Sequence, residues 1–94
     1  MLFRSKEDAS AIQSFERALR INSLDQDANN NYGMFLCQRK REEDAIKYFM
    51  AALKNPLYRT PENSYVNAGL CARQRGDLGG ASEFFNREIG RAHV

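Results

Sequence analysis

The amino-acid sequence repeats itself at intervals close to 34 residues, and this periodicity limits the fold more than any other feature. An Ala-x3-Phe pattern occurs three times, beginning at Ala11, Ala45 and Ala81, so the intervals are 34 and 36 residues. A glycine stands 12 residues before the second and third of these alanines, at Gly33 and Gly69. Repeats of this length are helical or mixed units that stack, because one unit cannot bury its apolar face alone. We therefore predict a stack of similar units.

Apolar residues within the units recur at helical spacing. Ile12, Phe15 and Leu19 lie three and four residues apart, and the second unit repeats this spacing. Such spacing is typical of an amphipathic helix, and no segment shows the sustained alternation of a strand. We predict an all-α fold of about five helices, at residues 6–21, 24–38, 42–54, 61–75 and 78–90.

Several residues are expected to begin or end these helices. Ser23, with Gln26 three residues on, fits a capping box for the second helix. Thr60 is expected to cap the fourth helix, with Pro61 at its first position. Gly90 is expected to end the fifth helix.

The units resemble the tetratricopeptide repeat (TPR), whose signature is W-x2-L-G-x2-Y, then A-x3-F, then P. In the second unit Tyr32-Gly33 stands at the L-G position, Leu36 at the Tyr position, and Pro56 closes the unit. This resemblance implies helical hairpins stacked as a short right-handed superhelix. We expect one truncated domain over 1–94. Its parts would be 6–21 as the second helix of a first repeat, 24–56 as a second repeat, 61–90 as a third, and 91–94 as a disordered tail or cloning scar.

Composition excludes several classes of function for the 94 residues. A net charge of +2 is too small to indicate nucleic-acid binding, and Arg39-Lys40-Arg41 suits the carbonyl end of a helix. The single histidine, His93, is second from the end, so no catalytic set or metal-ligand spacing is present. We expect no enzyme, no metal and no cofactor. Tyr48, Tyr58 and Tyr65 are expected to pack rather than to stack on bases.

Four strings resemble the type IV pilus biogenesis and stability protein family (PilF/PilW) more closely than the general repeat requires. They are Asn29-Asn-Asn-Tyr-Gly-Met-Phe-Leu-Cys-Gln38, Asn55-Pro-Leu-Tyr58, Asn67-Ala-Gly-Leu-Cys-Ala72 and Gly76-Asp-Leu78. The resemblance covers roughly residues 7–87. It implies an outer-membrane lipoprotein of the pilotin class, a scaffold on the periplasmic face that assists secretin localisation or assembly. The signal peptide and the lipid-bearing cysteine of that family are missing from this sequence, so we expect no direct membrane insertion by this chain.

The first helix of each TPR hairpin lines a concave groove, which is the expected partner-binding site. Asparagine amides there could hold the backbone of an extended peptide, and the apolar members could form pockets. The predicted groove residues are Asp27, Asn30, Asn31, Met34, Gln38, Asn63, Val66, Asn67, Leu70, Arg73 and Gln74. With one strong cation in this set, a clamp for a C-terminal carboxylate is not expected.

Two further expectations concern the cysteines and the open end of the array. Cys37 and Cys71 stand at different repeat positions and are expected to be small buried or groove-lining residues rather than a disulfide pair. A disulfide would need their Cα atoms within about 7 Å. Helix 6–21 lacks a hairpin partner, so its apolar face is expected to find no intramolecular contact and to drive homodimerisation. The alternative function is a peptide-binding TPR fragment with no activity of its own, dominated by self-association.

Overall fold

The computed structural model describes residues 5–92, with side chains described through residue 87. This part of the chain is all α-helical and contains no strand, which confirms the predicted fold class. The helices are α1 (Lys6–Ile21), α2 (Gln26–Gln38), α3 (Glu42–Ala52), α4 (Pro61–Gln74) and α5 (Leu78–Ala92). α2 and α3 form one hairpin and α4 and α5 form the next, while α1 packs against α2.

Helix ends differ from the prediction where a competing side chain controls the first or last turn. α2 begins at Gln26 because Asp25, not Ser23, accepts a hydrogen bond from the backbone N–H of Ala28 at 3.0 Å. Thr60 occupies the cap position of α4, but its side chain makes no capping bond. α5 continues through Gly90 to Ala92, so that glycine does not end the helix. The helix includes the first two residues of the predicted tail, 91 and 92, while 93 and 94 lie outside the described residues.

The two hairpins turn in the same way, although their sequences differ. At the end of α2, the N–H of Arg41 donates to the carbonyl of Leu36 at 2.9 Å, and Lys40 has a φ of 65°. This is a Schellman motif, which needs one left-handed residue. The same bonds end α4 around Gly76, 36 residues later, where φ is 90°. The repeat therefore preserves the backbone of the turn while its left-handed residue changes.

The core lies between the two hairpins and depends on small residues. Phe49 is 1% exposed, and its ring lies against Gly33, so α2 and α3 approach closely. Gly69 and Phe85 form the equivalent contact in the second hairpin. The other buried apolar residues are Tyr32, Leu36, Ala45, Ala52, Ala68, Cys71, Ala72 and Ala81.

α1 covers one end of this core. None of its residues is fully buried, but Ile12, Phe15 and Leu19 pack partly against the core. The ring of Phe15 stacks on Tyr32 with centroids 5.0 Å apart. The expectation that this face has no intramolecular contact is therefore wrong, since α2 provides one.

Candidate functional site

A cavity of about 180 Å³ opens between α2 and α4, the first helices of the two hairpins. Each helix presents one half-exposed apolar side chain there: Met34 on α2 is 46% exposed, and Leu70 on α4 is 44% exposed. None of the lining side chains is charged. They belong to Met34, Cys37, Gln38, Phe49, Asn67, Leu70, Cys71 and Gln74. This surface, called the α2–α4 groove below, suits an uncharged apolar group flanked by amides.

Hydrogen bonds tie the two walls of the groove together at both ends. Near the start of α4, the buried Ser64 hydroxyl donates to Asn30 Oδ1 at 2.7 Å. Near its end, Gln74 Nε2 donates to the carbonyl of Cys37 at 2.8 Å and to Glu42 Oε2 at 2.7 Å. The groove is thus preformed, which lowers the entropy that binding would cost.

A disulfide between Cys37 and Cys71 joins the same walls covalently, contrary to the sequence expectation. Their Cα atoms are 6.0 Å apart, within the range for a bridge. The prediction was wrong because it treated the unequal repeat positions of the two cysteines as evidence against a bridge. Successive repeats meet head to tail, so the edge that α2 presents to α4 is not the edge that α4 presents to α2. Residues that touch across such an interface need not share a repeat position.

The structure brings five of the eleven predicted groove residues to the cavity. Those five are Met34, Gln38, Asn67, Leu70 and Gln74. The rest lie outside it, where Val66 is half-buried and four side chains are exposed, namely Asp27, Asn31, Asn63 and Arg73. The eleventh, Asn30, is held within the protein.

Three consecutive asparagines of α2 have different surroundings. Asn29 is 1% exposed and donates to the carbonyls of Ser23 and Asp25. Asn30 Nδ2 donates to the hydroxyl of Tyr58 at 2.8 Å, so its amide is already partnered. Asn31 is exposed. A row of asparagines in the sequence therefore does not give a row of free amides in the groove.

Sequence reasoning missed Tyr58 and Phe49 as parts of the site. Tyr58 lies in the segment between α3 and α4 and reaches the groove wall through Asn30. Phe49 belongs to the Ala-x3-Phe pattern of the second repeat, and its ring lines the cavity. The two-residue lengthening of the second repeat was the available signal for Tyr58, because extra residues in a repeat often carry added contacts.

The basic run after α2 is used inside the protein. Arg39 donates to both carboxylate oxygens of Asp8, at 3.0 and 2.7 Å, and lies 3.6 Å above the Phe35 ring. The hydrogen bond from Arg39 lowers the pKa of Asp8, and the same bond raises the pKa of Arg39. Arg41 pairs with Asp44. Two of the three cations therefore have intramolecular partners.

Burial also affects two tyrosines near α1. Desolvation raises the pKa values of Tyr32 and Tyr48, whose ring centroids are 4.5 Å apart. Within residues 5–87, no group of three or more His, Cys, Asp or Glu side chains could hold a metal ion. Across the described helices, none has the length and apolar character needed to cross a membrane.

Comparisons with known proteins show which proteins the sequence and the fold are similar to. The chain is 30% identical over 83 residues to the type IV pilus assembly protein PilF of Pseudomonas aeruginosa, covering 88% of this chain and 33% of that protein. It is 36% identical over 63 residues to an uncharacterized protein of Haemophilus influenzae, covering 67% of this chain and 35% of the relative. The chain thus spans about a third of the length of these relatives. No family model matches it.

The fold is also similar to a solved structure. The crystal structure of PilW, a widely conserved type IV pilus biogenesis factor, matches 92% of this chain with a TM-score of 0.76 and 36% identity. This chain covers 39% of that structure. The chain is therefore a homologue of the TPR-like type IV pilus biogenesis factors PilF and PilW over the part that it covers.

Proposed function

We propose that this chain is a non-catalytic protein-binding scaffold in type IV pilus biogenesis, and that the α2–α4 groove holds an extended segment of its partner. The observation that carries the proposal is the preformed, uncharged cavity between Met34 and Leu70. Half-exposed apolar side chains in a concave surface with amides at the rim are typical of a peptide-binding site. The similarity to pilus assembly proteins supports a role in type IV pilus biogenesis.

The proposed partner is the outer-membrane secretin of the pilus machine or another pilus assembly component. We place this interaction on the periplasmic side of the envelope. The Cys37–Cys71 disulfide supports that location, because disulfides form and persist in oxidising compartments such as the bacterial periplasm. The pilus-related homologues support it independently. The pilotin and lipoprotein roles of the family come to this chain as part of the same proposal.

A direct binding measurement tests the proposal. The oxidised chain is titrated with the purified periplasmic domain of a type IV pilus secretin, and Met34→Asp and Leu70→Asp are compared with the unchanged protein. Each variant places an unpaired charge in the groove, so we expect affinity to fall about tenfold or more. Leu57→Asp is the matched control, because Leu57 is 81% exposed on the segment after α3 and lies outside the groove.

Equal affinity for all four proteins would show that the groove is not the binding surface. A loss in the two groove variants with an unchanged control supports it. Circular dichroism at the assay temperature checks that every variant is folded. The exposed positions make this check straightforward, since surface substitutions usually change stability by about 0.5 kcal/mol or less.

Self-association is the second candidate, favoured by the incomplete burial of α1. Its half-buried apolar residues could dock on a second copy of the chain. Sedimentation equilibrium of the protein and of Ile12→Lys separates the two functions. A dimer that dissociates in this variant supports self-association, whereas a monomer at high concentration removes it.

A further inference from the structure

The walls of the α2–α4 groove are unusually rich in sulfur. Three of its eight lining residues carry it: Met34 on one rim and the bridged Cys37 and Cys71 beneath. Cys71 is fully buried and Phe49 is 1% exposed, so both contribute a fixed floor rather than mobile side chains. Leu70 forms the opposite rim.

Sulfur atoms at this density favour one kind of apolar guest. Divalent sulfur makes favourable contacts with aromatic ring edges that it does not make with aliphatic groups. Phe49 is 1% exposed and backs the pocket from below, so the half-exposed Met34 is the sulfur-bearing side chain that a guest ring would contact. The absence of charge among the lining side chains disfavours a charged guest, which would lose its hydration without gaining a partner.

We propose that the α2–α4 groove is a pocket for a single aromatic side chain of the bound segment. The ring inserts between Met34 and Leu70, with its edge toward the Met34 sulfur. The exposed Gln38 amide and the half-buried Asn67 amide flank the opening and are placed to hydrogen-bond the backbone of the same segment. This inference rests on the proposed function, because it names the anchor residue that the groove selects.

A small probe tests the pocket without the partner. N-acetyl-phenylalanine methylamide is titrated into the oxidised protein. The 13C-labelled methyl groups of the protein's methionine and leucine residues are followed by NMR. The matched probes are the leucine and alanine methylamides. We expect saturable shifts at Leu70 and Met34, with the phenylalanine probe bound about two- to tenfold more tightly than the leucine probe. Met50, on α3 and outside the cavity, serves as the internal control.

Substitution of one sulfur tests the physical cause. Met34→Leu keeps the size and apolar character of the rim, so the leucine probe should bind as before. We expect the preference for phenylalanine to shrink, with Leu70 as the reporter. Met50→Leu makes the same chemical change away from the cavity and should leave the preference unchanged.

The outcomes separate this inference from the proposed function. Equal binding of the phenylalanine and leucine probes, no shift with either, or an unchanged preference in Met34→Leu would overturn the aromatic pocket. These readings need no secretin. Aromatic selectivity without secretin binding would discredit the proposed partner alone, and secretin binding that depends on the groove without aromatic selectivity would discredit the pocket alone.

Discussion

Gly33 on α2 lies so close to Phe49 on α3 that a β-carbon built on the glycine would stand 2.5 Å from Cε1 of the ring. Phe85 has the same relationship to Gly69, again at 2.5 Å. Both distances are too short for a contact between two non-bonded carbon atoms, and the Phe49 ring is buried. The glycine of each repeat is therefore required by a ring of the same hairpin.

The first prediction is that Gly33→Ala destabilises the chain although alanine is the better helix former. The Phe49 ring must move within a packed core, and overpacking of this kind costs about 1–3 kcal/mol. Urea unfolding monitored by circular dichroism measures the change. Gly79→Ala is the matched control, because the nearest atom to its built β-carbon is 4.0 Å away. A loss of stability in the control equal to that in Gly33→Ala would contradict the steric explanation.

Repeat spacing identified Gly33 and Phe49 as repeated positions, but it predicted neither their contact nor what joins neighbouring repeats. The Ala-x3-Phe pattern and its glycine recur within each hairpin, and the structure shows that the Phe49 ring lies against Gly33 there. The disulfide joins Cys37 and Cys71 across two hairpins, where different helix edges meet. The start of α2 depends on which of two nearby polar side chains, Ser23 or Asp25, caps the helix. Such details are set by tertiary contacts that a repeat pattern does not contain.

The second prediction concerns that disulfide. Cys37 and Cys71 are 34 residues apart, and a closed loop of this size stabilises a protein by about 2–4 kcal/mol through the unfolded state. We expect dithiothreitol to lower the urea midpoint of the chain. The double variant Cys37→Ser/Cys71→Ser should unfold at a similarly low midpoint and should not respond to the reductant. Equal midpoints for the oxidised and reduced chain would contradict the prediction.

The third prediction separates neighbouring asparagines of α2. Asn30→Ala removes an acceptor from the buried Ser64 hydroxyl and a donor from Tyr58. The unmet polar groups should cost about 1–3 kcal/mol in urea unfolding. Asn31→Ala removes the same side chain from an exposed position one residue on, and it should change stability by about 0.5 kcal/mol or less. Similar losses in both variants would show that the hydrogen-bonded cluster does not hold the groove wall.

The fourth prediction follows from the shared turn of the two hairpins. Lys40 has a φ of 65° and Gly76 a φ of 90° at the same repeat position. The left-handed conformation costs a non-glycine residue about 1–2 kcal/mol. Lys40→Gly should therefore raise the urea midpoint, while Gly76→Lys should lower it. Lys47→Gly, at an exposed position inside α3, is the control and should destabilise by about 1 kcal/mol. A lower midpoint for Lys40→Gly would contradict the prediction.

The fifth prediction concerns the pH dependence of α1 docking, which involves Asp8 and Arg39. In the folded chain, the hydrogen bond from Arg39 lowers the pKa of Asp8 below its ordinary value of 3.8. In the unfolded chain this bond is absent, and the ordinary value applies. The stabilisation is therefore fully present above about pH 4 and is lost as the pH falls through the lower, folded value. Thermal unfolding of the chain should consequently shift downward between pH 6 and pH 2.5, and part of this shift should disappear in Asp8→Asn. Glu7→Gln removes an exposed carboxylate from the adjacent position and should retain the full shift. If both variants lose the same part of the shift, the ion pair with Arg39 does not hold α1 on α2.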